Sequence, residues 1–244
     1  MAAVRRAMDA AGHPALLLAD VVSSLGCTDL RFDEWKLDVA LTAAQKGLML
    51  PPGMALLAVS EKALKANRSA KCARSFWDWQ AVLESNAGGY FPYTPATALL
   101  FGLSESLKML FEEGLENVFK RHARLAGACR KAIEAMNLKL FAQNAANYSS
   151  TLTAVAMPQG LDSDAFIDHT LKLVSLPLGK GLGKAKGKLF RIGHLGSFNE
   201  LELLAVLGGV EMALKSFGVT LALGAGLAAA ETYLLETTNQ RLPL

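Results

Sequence analysis

Cysteine and histidine are scarce in this sequence. Both residues bind zinc in most structural zinc sites, and cysteine also forms disulfides. The 244 residues include three cysteines and four histidines. The cysteines, Cys27, Cys72 and Cys129, are far apart and form no CxxC pair. Zinc sites and disulfide-rich folds need closely spaced ligands or paired cysteines. The sequence therefore predicts neither, and a reducing compartment suits this cysteine usage.

Long apolar runs and a strong excess of either charge are also missing. The longest apolar stretch, residues 219–230, contains glycines and is shorter than the roughly 20 residues that a transmembrane helix needs. The 25 basic and 22 acidic residues leave a net charge of +3, which is too balanced to indicate a nucleic-acid or membrane surface. We expect a soluble protein of the cytoplasm or the peroxisome that binds neither nucleic acid nor membrane.

The first half of the chain has the pattern of an α/β domain. A short helix ending near Gly12 precedes an apolar run at residues 14–20, and further apolar runs follow at residues 39–44 and 54–60. These runs are continuously apolar instead of alternating, as expected for strands of a sheet that is covered on both faces. Hydrophobic residues make up 52% of the chain, enough to bury a sizeable core as one large or two modest domains.

The second half has the pattern of a separate α+β unit. A long helical region at residues 96–136, broken near Gly114, connects it to the first half. The remaining chain is predicted to form strands at residues 138–142, 151–157 and 189–193 and helices at residues 163–173, 200–217 and 225–235. The glycine- and lysine-rich run at residues 179–188 lacks the spacing of a phosphate-binding P-loop, so we predict a solvated loop there.

A lysine follows the second apolar run, and an aspartate ends the first. Lys46 comes directly after Gln45, among small and apolar residues, and Asp20 closes the run at residues 14–20. In a parallel sheet both side chains would emerge at the carboxyl ends of strands, where ligands bind in open α/β sheets. An amine that can form a Schiff base and a carboxylate that keeps a pyridine nitrogen protonated match a pyridoxal phosphate site. The alternatives are a snorkelling surface lysine and an aspartate that caps a following helix.

Longer motifs around these positions give a resemblance to a known family. They are DVVSSLG (20–26), RFDEWKLDVALTAAQKGLMLPPG (31–53), YFPYTPAT (90–97), SSTLTAVAMP (149–158) and FRIGHLGSFNE (190–200). In these motifs the chain resembles, collinearly over nearly its whole length, the class V pyridoxal-phosphate-dependent aminotransferases, in particular the serine–glyoxylate and alanine–glyoxylate aminotransferases. The resemblance implies an α/β fold of the fold-type I class. It also implies a partial cofactor-binding large domain at residues 1–115, followed by a smaller α+β domain at residues 116–244.

The resemblance implies cofactor-binding roles near the two strand ends. Lys46 would hold pyridoxal 5'-phosphate as a Schiff base and, once displaced by substrate, would shuttle a proton between the substrate α-carbon and the cofactor. Asp20 would pair with the pyridinium nitrogen, and Gln45 would hydrogen-bond near the cofactor phosphate. Relatives commonly have a serine where this chain has Ala44, which removes one hydroxyl near the phosphate.

Other matched residues imply a homodimer and a substrate-binding arginine. Thr94, helped by Tyr93 or Tyr90, would reach the phosphate of the neighbouring subunit's cofactor. Arg191 would clamp the substrate carboxylate, a task suited to a planar guanidinium with paired donors. The alternatives are a turn residue before Pro95 for Thr94 and a structural ion pair for Arg191.

The reaction that the resemblance implies is transfer of an amino group from L-serine or L-alanine to glyoxylate through the Schiff base on Lys46. The resemblance also implies that Met1 lies within the cofactor domain of a complete family member, whose amino-terminal part would precede it. The main alternative is a truncated, non-catalytic fragment or interaction module that no longer retains the cofactor. A fold-related desulfurase or lyase is a further alternative.

Overall fold

Two units, each with its own sheet, make up the fold. The computed structural model describes residues 1–240. The first unit comprises residues 1–25 and 29–112, and the second comprises residues 26–28 together with the chain from residue 113 onward. The short segment 26–28 therefore belongs to the second unit, although the residues on both sides of it belong to the first. Within residues 1–240, the helices are too short or too polar to cross a membrane.

A three-stranded sheet forms the centre of the first unit. The elements are α1 (Ala2–Ala10), β1 (Leu18–Asp20), β2 (Val39–Ala43), β3 (Ala55–Val59), α2 (Glu61–Ser69), α3 (Trp79–Ala87) and α4 (Thr97–Glu113). The strand order is β1-β2-β3, with β1 parallel and β3 antiparallel to β2. The prediction of strands covered on both faces is wrong for β3, because it is an edge strand of the described sheet and its Leu57 is 50% exposed.

A hydrophobic cluster of the first unit lies on one face of this sheet. Side chains alternate between the two faces along a strand, and the buried ones from β1 and its flanks pack with apolar side chains of α1 and of the segment between β1 and β2. The buried members are Leu17, Ala19, Val21, Leu37 and Ala40, and the partly buried ones packed against them are Met8, Leu25, Leu30, Phe32 and Trp35.

The buried side chain of Asp38 connects the amino-terminal ends of β1 and β2 by hydrogen bonds. Asp38 Oδ2 accepts hydrogen bonds from Arg5 at 2.8 Å and from Leu17 N–H at 2.7 Å, and Asp38 Oδ1 accepts one from the Ser60 hydroxyl at 3.2 Å. Burial alone would raise the pKa of Asp38, but these donors and the nearby Lys62 ammonium hold it below its usual value. Because Leu17 precedes β1 and Asp38 precedes β2, the contact stabilises the register of the two strands.

The second unit packs helices against a four-stranded antiparallel sheet of order β4-β5-β7-β6. Its elements are α5 (Leu115–Ala135), β4 (Lys139–Leu140), β5 (Leu152–Ala156), α6 (Ser163–Val174), β6 (Gly179–Lys180), β7 (Leu189–Gly193), α7 (Glu200–Ser216) and α8 (Ala225–Glu236). The predicted helix break is confirmed, since Gly114 adopts φ +82° between α4 and α5. The prediction of a loop at residues 179–188 is wrong at its start, where the first two residues pair with β7 as β6.

Charged side chains hold both ends of helix α8. Glu211, which is 2% exposed, accepts backbone hydrogen bonds from Gly224 and Gly226 at 2.6 Å each, at the start of the helix. Arg124 donates to Leu234 C=O at 2.8 Å near the end of the helix and pairs with Glu200. A carboxylate at a helix N-terminus and a cation at its C-terminus both complement the helix dipole.

Candidate functional site

The first candidate site lies at the carboxyl edge of the β1–β2 pair. The two strands are parallel, and their register places Asp20 opposite Leu41. β2 ends at Ala43, and Lys46 lies in the turn that follows it. Parallel strands end at the same edge of a sheet, so Asp20 and the lysine turn share that edge.

The carboxylate of Asp20 is exposed on the face of the sheet opposite the core. Its neighbours Ala19 and Val21 are buried in the core, and side chains alternate along a strand. Asp20 Oδ1 accepts a hydrogen bond from Val22 N–H at 3.0 Å. This bond closes a local turn and does not cap a helix, because residues 21–28 contain no helical element. Asp20 Oδ2 makes no hydrogen bond within residues 1–240, so it is free to bind a ligand.

The turn that carries Lys46 is closed by its own backbone. Met49 N–H donates to Lys46 C=O at 2.9 Å, and Leu50 N–H donates to Ala44 C=O at 3.1 Å. Met49 adopts φ +58°, a left-handed conformation that is uncommon for residues other than glycine. Lys46 is half-buried, whereas Gln45 is exposed. The hydrogen-bonded turn therefore fixes the backbone from which the Lys46 side chain extends.

Helix α4 packs against the same turn through small residues. The hydroxyl of Ser106, which is 3% exposed, donates to Leu48 C=O at 2.6 Å. A Cβ added at Gly102, one helical turn earlier, would lie 2.5 Å from Leu50 Cδ2, so a larger residue there would displace the end of the Leu50 side chain. Ser106 and Gly102 are not predicted from the sequence, although their spacing places both on one face of the helix.

Tyr93 and Thr94 lie in an exposed aromatic segment of the first unit. The Tyr93 hydroxyl is 3.0 Å from Ser75 Oγ, and the Tyr93 and Phe76 ring centroids are 5.1 Å apart. The segment from Gly89 to Pro95 lines most of an open pocket of about 760 Å³. Thr94 is exposed within this segment. The role of Tyr93 and Thr94 toward a neighbouring subunit stays a prediction.

The second candidate site is centred on Arg191 in β7. Its register partners are Ala154 in β5 and Gly179 in β6, and it lies on the sheet face opposite its buried neighbours Phe190 and Ile192. The Nε atom of Arg191 is buried and has no hydrogen-bond partner among the described residues. The structural ion pair considered as the alternative is not found for Arg191 in the part of the chain that the structure describes. Its guanidinium is therefore available to an external carboxylate.

Two fully buried histidines of the second unit contribute to packing. His194 Nε2 is 2.9 Å from Thr153 Oγ1, and burial lowers the pKa of His194 to about 4. His122 Nε2 accepts a hydrogen bond from Gly196 N–H at 3.1 Å, and burial lowers the pKa of His122 as well. In residues 1–240, His, Cys, Asp and Glu side chains form no group of three or more that could hold a metal ion.

The structure brings some of the predicted site residues together. Asp20, Gln45 and Lys46 share one sheet edge of the first unit, whereas Arg191 belongs to the second unit. An amine and a carboxylate at one strand edge fit a cofactor that carries an aldehyde and a basic ring nitrogen. The guanidinium fits a carboxylate ligand.

Comparisons with known proteins agree on one family. The family model described as Aminotransferase class-V matches residues 4–170. The chain is 50% identical over 239 residues to a serine–glyoxylate aminotransferase of Methylorubrum extorquens. The aligned region covers 96% of this chain and 60% of that protein. It is 44% identical over 238 residues to an L-aspartate–glyoxylate aminotransferase of Paracoccus denitrificans. That alignment covers 98% of this chain and 60% of that protein.

Solved structures give the same fold. The pyridoxamine–pyruvate aminotransferase of Mesorhizobium loti matches with a TM-score of 0.88 at 32% identity, over 96% of this chain and 60% of that chain. The ureidoglycine–glyoxylate aminotransferase of Bacillus subtilis matches with a TM-score of 0.87 at 30% identity, again over 96% and 60%. The chain thus spans about 60% of the length of the relatives it matches.

Proposed function

This chain belongs to the class V aminotransferases, which depend on pyridoxal phosphate, and we propose that it supplies the lysine, aspartate and arginine of a transamination site. The observation that carries the proposal is the position of Lys46 and Asp20 at the carboxyl edge of adjoining parallel strands. Because the chain spans about 60% of its curated relatives, we propose the activity for a protein of the relatives' length that contains these residues. For the chain itself we propose cofactor binding.

Lys46, Asp20 and Gln45 at the strand edge each bind a different part of the cofactor in this proposal. When bound, pyridoxal phosphate supplies an aldehyde that condenses with an amine and a pyridinium ring that withdraws electrons from the substrate α-carbon. Lys46 holds the aldehyde and later carries the proton that leaves the α-carbon. Asp20 keeps the ring nitrogen protonated, since a carboxylate beside it favours the charged form. Gln45 hydrogen-bonds near the phosphate.

Arg191 binds the carboxylate that every α-amino acid and 2-oxo acid substrate carries. Its guanidinium can donate two parallel hydrogen bonds to a carboxylate, and its Nε has no other partner among the described residues. The M. extorquens and P. denitrificans relatives are both glyoxylate aminotransferases, and they differ in the amino donor, which is serine for one and L-aspartate for the other. We propose glyoxylate as acceptor and L-serine or L-alanine as donor, since similar proteins include serine–glyoxylate and alanine–glyoxylate aminotransferases.

The aromatic segment around Thr94 serves a second copy of the protein in this proposal. Tyr93 and Thr94 are exposed within their own unit, which leaves the Thr94 hydroxyl accessible to a neighbouring subunit. In a homodimer, Thr94 would then hydrogen-bond the phosphate of the cofactor held by the partner.

Covalent trapping tests the cofactor site in the chain as it stands. Borohydride reduction after incubation with pyridoxal phosphate fixes the cofactor on the lysine that holds it, and peptide mass analysis identifies that lysine. We expect Lys46 to be labelled at a lower cofactor concentration than any other lysine. Lys46→Arg should abolish this preferred label, and Lys65→Arg, at an exposed position on α2, should leave it unchanged. Even labelling of all exposed lysines would contradict the proposal and favour the non-catalytic module.

A transamination assay tests the reaction. Glyoxylate is paired with L-serine, L-alanine or L-aspartate and is given to this chain and to the same chain joined to the amino-terminal part of the M. extorquens relative. We expect the joined protein to form glycine, with L-serine the best donor, and expect Lys46→Arg to abolish this activity. Glycine formation that survives Lys46→Arg would refute the role of this lysine.

A further inference from the structure

We propose that Gly179 is a positioning residue for Arg191: the bare backbone of β6 lets the guanidinium lie across it, oriented to receive a substrate carboxylate. The inference rests on the carboxylate-binding role proposed above for Arg191. It adds the residue that sets the conformation of that side chain.

The sheet register makes Gly179 and Arg191 lateral neighbours. Gly179 pairs with Arg191 across β6 and β7, and Ala154 pairs with Arg191 on the other side. Side chains of paired residues stand on the same face of a sheet. Arg191 is therefore flanked on that face by a methyl group on one side and by no side chain on the other.

The Arg191 side chain fills the space that a side chain at residue 179 would need. A Cβ added at Gly179 would lie 3.1 Å from Arg191 Cβ, 3.1 Å from Arg191 Nε and 3.5 Å from Arg191 Cζ. The stem and the guanidinium therefore lie over β6. A methyl group at residue 179 would have to displace them, because the two closest of these distances are shorter than ordinary van der Waals contacts.

The backbone conformation of residue 179 does not itself require glycine. Gly179 is not among the glycines with positive φ, whereas Gly183 and Gly187 in the same run adopt φ +54° and +72°. Gly181 is needed for a different reason, since a Cβ there would lie 2.1 Å from Ala185 O. The φ angle of residue 179 therefore does not exclude alanine, and the close contacts that an alanine would make are with Arg191.

Packing, and not hydrogen bonding, sets the Nε position of Arg191. That atom is buried and makes no hydrogen bond within the described residues, so no bond would draw it back once a methyl group displaced it. A guanidinium binds a carboxylate best when its planar fork is already oriented. Displacing the fork should thus weaken carboxylate binding while leaving the fold intact.

NMR of the Arg191 Nε–Hε group in the full chain, with isotope-labelled arginine, tests the proposal. The resonance is identified by its loss in Arg191→Lys. In Gly179→Ala we expect this resonance to move and the group to become more mobile without any ligand. We also expect glycolate, a carboxylate of the size of glyoxylate without the reactive aldehyde, to bind about tenfold more weakly. Gly179→Ser places a Cβ at the same point and should give the same result.

Gly193→Ala is the matched control. Gly193 lies two positions after Arg191 on the same strand and face, and a Cβ there would meet nothing within 4 Å. We expect the resonance, its mobility and the glycolate affinity to stay as in the unsubstituted chain.

Two outcomes separate this inference from the proposed function. If Gly179→Ala changes neither the ligand-free resonance nor its mobility, Gly179 does not position Arg191 and the inference is wrong. If glycolate shifts the resonance in no chain, the carboxylate role of Arg191 fails. The ligand-free comparison then still decides whether Gly179 sets the side-chain conformation.

Discussion

Replacing Asp38 by alanine should destabilise the first unit much more than breaking a shorter ion pair at the surface. The side chains of Arg5 and Asp38 are 10% and 5% exposed, and their closest nitrogen and oxygen atoms are 2.8 Å apart. Arg31 and Asp29 approach to 2.6 Å, but their side chains are 53% and 45% exposed. The comparison therefore separates the effect of burial from the effect of distance.

The expected magnitude follows from what each substitution leaves behind. Asp38→Ala removes the buried carboxylate partner of Arg5 and leaves it the Lys36 C=O at 2.7 Å and the half-exposed Asp9 at 3.5 Å. Breaking a buried ion pair costs about 3–5 kcal/mol in typical proteins. The substitution also removes the acceptor of Leu17 N–H and of the Ser60 hydroxyl. Asp29→Ala removes an exposed pair, worth about 0–1 kcal/mol. The free energies of unfolding of the two variants should thus differ by about 3 kcal/mol.

Tryptophan fluorescence in urea titrations measures this difference. All three tryptophans, Trp35, Trp77 and Trp79, lie in the first unit, so their signal follows the unfolding of that unit. The urea midpoint multiplied by the slope gives the free energy of unfolding. The double variant Arg5→Met with Asp38→Leu removes both charges and should recover part of the loss.

The pH dependence has a defined sign. Although burial would raise it, the pKa of Asp38 is held below its usual value by Leu17 N–H, Arg5 and Lys62. The stabilisation from Asp38 is therefore present above the ordinary carboxyl range and is lost as the pH falls through the lowered pKa. Equal urea midpoints for Asp38→Ala and Asp29→Ala at neutral pH would contradict this prediction.

Further predictions concern the second unit and the lysine turn. Folded His194, with a pKa of about 4 against an ordinary 6.5, binds a proton less readily than the unfolded chain does. The second unit should therefore lose up to roughly 3 kcal/mol as the pH falls between these values, and hydrogen exchange should show a smaller loss for His194→Gln; an equal loss would contradict this. Glu211→Gln should cost about 1–3 kcal/mol and speed hydrogen exchange at the start of α8, whereas the exposed Glu231→Gln should change neither. Ser106→Ala leaves the carbonyl bonded by that hydroxyl unpaired and should reduce the preferred labelling of Lys46 by pyridoxal phosphate. The exposed Ser104→Ala is its control, and equal labelling in both would count against a positioning role for Ser106.

Strong apolar patterns make most strands and helices predictable from the sequence. Helices without an apolar stripe are not predicted. The break near Gly114 follows from sequence alone. Helices α2 and α3 are missed because they bury almost nothing: Ala63 is buried in α2, and no residue is buried in α3. Their starts carry a local signal, since the side chains of Ser60 and Asp78 cap the two helices. Such capping residues identify helix starts even without an apolar stripe.

For the candidate site, the sequence supplies identities and the structure supplies the supporting contacts. Asp20 and Lys46 are predicted from the sequence because Asp20 ends one apolar run and Lys46 follows another, a pattern that is local in the chain. Ser106 acts on Leu48 across 58 positions, and Gly179 lies beside Arg191 only because β6 folds back on β7. Apolar periodicity carries no information on such pairs, so the residues that we propose to position the lysine and the arginine emerge only from the fold.

The membership of residues 26–28 in the second unit means that a single cut cannot divide this polypeptide into two intact pieces. Cys27 is fully buried, and burial raises the pKa of its thiol, which lies by the Gly196 backbone. A fragment starting at residue 113 would lack Cys27 and would have a cavity at its position. A fragment ending at residue 112 would contain Cys27 without the second unit that buries it. During translation, the ribosome delivers Cys27 long before Gly196, whose backbone lies beside the Cys27 thiol in the folded second unit.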